Sequence, residues 1–147
     1  MKSIKLKNNL MVPVFTLLKE AKLKNLASRG RNKFLKRLEE KNKEFNDELT
    51  EIRKDFFQVD EKGELKAEDG QFIFKEEVDE HPELKEDLNK RVKELGEETF
   101  EISFAEYSTK YEALFEALEH LDEELSGDKA LAYDELMDAY ENTEEEK

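Results

Sequence analysis

The stretch FLKRLEEKNKEFNDELTEIRKDFF, residues 34–57, decides the fold class. Within it Leu35, Leu38, Asn42, Phe45, Leu49, Ile52 and Phe56 recur at alternating steps of three and four. That is the a/d seam of a helix, with Asn42 in an a-type slot where a polar residue fixes register. Strand alternation would scatter the same residues over two faces. With Ser28 as N-cap, the spacing predicts a helix over Ser28–Phe57, about 45 Å long at the helical rise. A narrow apolar stripe does not hold so long a helix together alone in water, so the seam needs a partner.

Downstream, Tyr107, Tyr111, Leu114, Leu118, Leu121 and Leu125 repeat the spacing, and Phe115 widens the stripe. Between the two helices, Asp60–Gly63 and Asp69-Gly70 are turn chemistry flanked by the strand formers Phe57, Val59, Phe72, Ile73 and Phe74. EHPELKEDLNKRVKELG, residues 80–96, is read as a short helix stopped by Gly96. Thr99–Phe104 alternates and is predicted to pair with the Phe72–Phe74 segment. A first helix is predicted from about Asn8 to Lys24, on the stripe Leu10, Val14, Leu17, Leu18 and Ala21, with Pro13 in its first turn. A last one, residues 129–140, carries Leu131, Leu136 and Tyr140.

The fold class expected is mainly α: a long antiparallel helical hairpin with short flanking helices and a small β-hairpin or three-stranded element. One domain, residues 1–140, is expected to hold a basic segment 1–27, the long helix 28–57, a β-containing tip 58–104 and C-terminal helices 105–140. The tail 141–147 is too polar to pack and is read as disordered. Leu38, Phe45, Leu49 and Ile52 should bury against Tyr111, Leu114, Leu118 and Leu121. The long helix outreaches this partner around Leu35–Asn42. The surplus has to be covered by the first or last helix or by a second copy, and the balance falls toward a homodimer.

Charge is distributed unevenly. Residues 1–37 hold eleven basic side chains and one acid, Glu20, a net of +10, and the other 14 basic and 38 acidic residues leave −24. Three readings follow: the basic head neutralises the acidic C-terminal helix, it binds nucleic acid, or the acidic helices imitate a duplex phosphate surface. The mimicry reading rests on Glu39, Glu40, Glu44, Asp47, Glu48 and Glu51 on one helix and on Glu112, Glu116, Glu119, Asp122 and Glu123 on another. The candidate interaction cluster is Arg29, Arg31, Lys33, Lys36 and Arg37. Nucleic acid is disfavoured, because the chain is −14 overall and no aromatic is interleaved with that cluster. Internal neutralisation is the expected outcome.

The chemistry of sites is sparse. The absence of cysteine removes disulfides and thiolate ligands. His81 and His120, the two imidazoles, do not make a zinc site. Asp60–Glu64 has the look of a calcium loop but lacks the terminal bidentate Glu. No carboxylate pair stands out for acid–base work. No run reaches the roughly 20 apolar residues that span a bilayer, and Lys5, Lys7, Asn8 and Asn9 break any signal-peptide core. The expectation is a protein without catalysis, cofactor, metal or membrane, in a host cytoplasm or a virion, whose partner is another protein.

Three pieces of sequence carry a resemblance: Lys5-Leu6-Lys7-Asn8-Asn9, the L-K-x-x-x-S-R-x-R-x-K-F-x-K run from Leu23 to Lys36, and Asp60-Glu61-Lys62-Gly63-Glu64-Leu65. Over about the first 70 residues the chain resembles an uncharacterised family of small proteins from phages and prophages of Gram-positive bacteria. The resemblance implies a viral origin and roles as a structural or assembly accessory or as an inhibitor or target of a host defence protein. It implies no site residues.

Overall fold

The computed structural model describes residues 2–145 and is 67% helical, a mainly α fold with small antiparallel β elements. The described elements are β1 (Ser3–Lys7), α1 (Met11–Glu20), α2 (Asn25–Lys54), β2 (Ala67–Glu68), β3 (Gln71–Phe72), α3 (Glu76–Glu80), α4 (Glu83–Glu97), β4 (Thr99–Ser103), α5 (Ser108–Glu119) and α6 (Gly127–Glu145). They form two compact units, residues 1–42 with 99–147, and residues 43–98.

The first unit is organised by a strand pair that the sequence pattern did not suggest. β4 pairs antiparallel with β1, in the register Ser3↔Ser103, Ile4↔Ile102 and Leu6↔Phe100, and not with Phe72–Phe74. The reason is visible in the burial. Ile4, Leu6, Phe100 and Ile102 alternate with polar residues and are all buried on one face. The stretch Ser3–Lys7 holds only two apolar residues, Ile4 and Leu6, among basic ones, too few to mark a strand by themselves. α6 packs on both α1 and β1.

Around this sheet lies an aromatic core. Phe115 stacks on Tyr140 with centroids 4.4 Å apart and meets Phe34 edge-on at 6.0 Å, while Phe34 meets Tyr111 edge-on at 5.5 Å. α2 and α5 approach at Gly30, where a Cβ would lie 2.2 Å from the backbone oxygen of Lys110. Only glycine permits that approach. α2 begins at Asn25, upstream of the expected cap. Ser28 does not cap it: the Ser28 hydroxyl accepts a hydrogen bond from Arg31.

Other boundaries also move. α5 stops at Glu119, leaving Leu121 and Leu125 outside the helix. In α6 the buried stripe is Ala132, Leu136, Ala139 and Tyr140, and Leu131 is 64% exposed. The expected disordered tail is partly helical: α6 runs through residues 141–145 and buries Thr143, whose hydroxyl donates to the Tyr140 carbonyl at 2.6 Å. Residues 146–147 lie outside the described residues.

The second unit has a small core of Phe56, Val78 and Leu88, with Ile52, Phe57, Phe74, Leu84 and Val92 against it. β2 and β3 form the hairpin expected at Asp69-Gly70, with φ of +51° and +79° at the two turn residues. Two consecutive positive φ values match the right-handed strand twist, which is why Asp-Gly suits this position. α4 continues to Glu97, so Gly96 lies inside the helix and does not stop it. Cations lie over the aromatic faces, Lys85 over Phe74 at 4.8 Å and Arg91 over Phe56 at 5.5 Å.

The seam residues are divided between the units. Leu38 and Phe56 are buried, and Leu35, Asn42, Phe45, Leu49 and Ile52 are half-buried. For Ile52 the expected burial against Tyr111, Leu114, Leu118 and Leu121 is not how the residue groups. Ile52 packs on Phe56, Val78 and Leu88, while the α5 residues pack in the aromatic core. The repeat records one continuous helix whose two halves serve two different cores. Leu38 is covered within the chain and shares a groove of about 170 Å³ with Met11, Val12 and Phe15, so a second copy is not needed to bury it.

Candidate functional site

Two surfaces carry chemistry, one in each unit. In the second, Glu48, Glu51 and Ile52 of α2 face Arg91, Glu94, Leu95 and Glu98 at α4 across an open cleft of about 580 Å³. Glu51 is 3.5 Å from Lys54 and Glu94 is 4.0 Å from Lys90, both pairs within one helix, and Arg91 is tied to Asp55 at 2.9 Å. Glu48 and Glu98 have no ion pair among the described residues. The walls are thus acidic over an apolar floor of Ile52 and Leu95. The unit as a whole carries 20 acidic and 10 basic residues, a net of −10.

In the first unit the basic cluster falls on the opening turns of α2. Arg29, Lys33 and Arg37 are one turn apart and share a stripe. Lys33 Nζ lies 5.6 Å and Arg37 Cζ 5.8 Å from the centroid of the Tyr107 ring, and Lys110 of α5 approaches the same ring at 5.8 Å. Glu40 accepts a hydrogen bond from Arg37 at 3.2 Å, and that bond holds the Arg37 guanidinium above its ordinary value. Arg29 and Lys36 have no ion pair among the described residues.

Arg31 has another task. Its guanidinium donates to the Ala21 carbonyl at 2.7 Å and to Ser28 Oγ at 3.1 Å, fastening the end of α1 to the start of α2. Arg31→Gln is expected to lower stability by about 1 kcal/mol in chemical denaturation, and Arg31→Lys to restore little, because an ammonium lacks the planar fork.

Below Tyr107 lies Tyr111, wholly buried, its hydroxyl beside the Arg37 guanidinium and with no acceptor among the described residues. Burial pushes the Tyr111 phenol up to about 12, against the opposing charge of Arg37. The folded pKa is thus above the unfolded one. The neutral phenol's contribution is complete below pH ~10 and is lost as pH rises toward 12. Tyr111→Phe removes an unsatisfied buried hydroxyl. It is expected to leave neutral-pH stability unchanged or raise it by about 1 kcal/mol. Between pH 10 and 12 the variant should lose less stability than the parent in parallel denaturation series.

The fold also assembles opposite charges within the first unit. Residues 1–42 carry +9 and residues 99–147 carry −13. Direct pairs between them are few: Lys2 to Glu112 at 3.0 Å, and Glu20, the lone acid of the head, to Lys129. Neutralisation is therefore diffuse, and the cations around Tyr107 take little part in it.

Asp60 Oδ1 accepts from the backbone N–H of Lys62 and of Glu64 at 2.8 and 3.0 Å, an Asx turn that occupies this carboxylate oxygen. His81 is exposed beside Glu83. Among the described residues no group of three or more metal-ligating side chains comes together, and no helix is long and apolar enough to cross a membrane.

The fold sets beside the basic residues of α2 an aromatic that is remote from them in the sequence. Tyr107 comes from a 3₁₀ turn, Ala105–Tyr107, in a distant segment, where its spacing marks it as the start of a packing stripe. Its flank of basic residues on α2 gave no linear signal.

No curated protein and no solved structure matches the chain. Residues 2–147 match the family model described as "Protein of unknown function (DUF1617)", and the chain belongs to that family over essentially its whole length.

Proposed function

We propose that this is a non-catalytic, phage-encoded accessory protein that binds another protein, of host or phage origin, through its acidic helices. The observation that carries this reading is the cleft between α2 and α4 in the second unit, with Glu48, Glu51, Glu94 and Glu98 around Ile52 and Leu95. Such a site suits the Lys and Arg side chains of a partner. Their aliphatic stems lie on the apolar floor while the charged heads reach the carboxylates. The resemblance of the N-terminal region to small phage proteins supports a setting in the host cytoplasm during infection.

Tagged protein retrieved from infected cells should bring down a partner at physiological salt, and released virions should lack the protein by mass spectrometry. Its presence in virions would move the role to assembly. Release of the partner by competing duplex DNA would mark that partner as DNA-binding and favour charge mimicry.

A further inference from the structure

We infer that Lys33, Arg37 and Lys110, gathered around Tyr107, form a binding site for a short stretch of single-stranded nucleic acid. Three cations within 6 Å of one ring centroid repel one another. A ring quadrupole offsets that repulsion only in part, and Glu40 serves Arg37 alone. Positive charge is left over at a place where the backbone does not need it. Lys36 and Arg29 extend it along the same helix, where Glu39 and Glu40 follow in the sequence, and Glu106 precedes Tyr107.

A second observation points to a missing group at the same place. The Tyr111 ring lies 5.8 Å from that of Tyr107, and its buried hydroxyl, beside Arg37, has no acceptor among the described residues. Buried polar groups without a partner are rare in folded proteins. A phosphate oxygen seated at Arg37 supplies an acceptor next to it, and Arg is suited to hold such an oxygen through two donors. Tyr107, half-buried, adds an aromatic surface among the cations, the combination that holds single strands without reading sequence.

Size favours a single strand over a duplex. The stripe from Arg29 to Arg37 is about 12 Å long, enough for two or three successive phosphates of an extended single strand. Beyond it the chain is acidic, so a duplex footprint would meet repulsion, whereas at physiological salt screening over about 8 Å lets a local patch act alone.

The test is fluorescence anisotropy of labelled (dT)12 with the full chain between 50 and 300 mM salt. Binding should weaken with a log–log slope of about −2, as expected for three phosphate contacts on a single strand. The triple variant K33Q/R37Q/K110Q should bind at least tenfold more weakly and Tyr107→Leu about tenfold more weakly, both with unchanged circular dichroism. Ultraviolet cross-linking of the unaltered protein to the same oligonucleotide should map to Tyr107, which keeps the test independent of any variant's folding. No binding at 50 mM salt, equal binding by the triple variant, or a cross-link mapped to the second unit would overturn the proposal. A polyglutamate peptide held as tightly as (dT)12 would overturn it in favour of an acidic protein ligand.

Discussion

Gly30→Ala is expected to destabilise the protein by about 3 kcal/mol or more, although alanine is the better helix former by about 1 kcal/mol. The added Cβ falls 2.2 Å from the Lys110 carbonyl oxygen and 3.3 Å from the Leu114 Cβ. Backbone cannot yield as a flexible side chain would, so the α2–α5 crossing must open. Opening it loosens the edge-on contacts of Phe34 with Tyr111 and Phe115. Urea denaturation read by circular dichroism measures the loss. A variant as stable as the parent would show that the two helices do not meet at this glycine.

Phe115→Ala should cost about 4 kcal/mol, the range for removing a wholly buried aromatic. Its ring contacts Phe34, Phe104 and Tyr140, so the cavity would lie where α2, α5, α6 and the segment after β4 converge. Those neighbours are themselves buried rings with little freedom to collapse. Phe115→Leu should cost less than half as much, since it keeps most of the volume. An alanine variant losing under 1 kcal/mol would mean the aromatic stack is not the core of this unit.

How far the sequence disclosed these features depends on the range of the interactions. Elements set by local chemistry were legible. The seam from Leu35 to Phe56 marked a single long helix, and Asp69-Gly70 marked a two-residue hairpin. Features that need two distant segments were not. Ser3–Lys7 has too few apolar residues to announce a strand, and it becomes one only because Thr99–Ser103 presents a matching face. The a/d repeat read as one partner's footprint, yet nothing in a heptad distinguishes one long partner from two successive cores. The candidate site behaves likewise. Arg29, Lys33, Lys36 and Arg37 could be named from the sequence, while Tyr107 and Lys110 join them only through the fold. Arg31, equal to its neighbours in the sequence, is separated from them by its hydrogen bonds to Ala21 and Ser28.

The acidic cleft is the centre of the proposed function, and its neutralisation tests it most directly. The variant E48Q/E51Q/E94Q/E98Q keeps the shape of the cleft and removes four negative charges from exposed positions. The measurement is quantitative co-purification of binding partners from infected cells by tagged parent and variant in parallel, at two salt concentrations, with circular dichroism confirming the fold. The expected result is a basic protein retained by the parent, retained less at the higher salt, and reduced at least tenfold with the variant. Equal recovery of the same partners by both proteins would contradict the reading of this cleft as a protein-binding site.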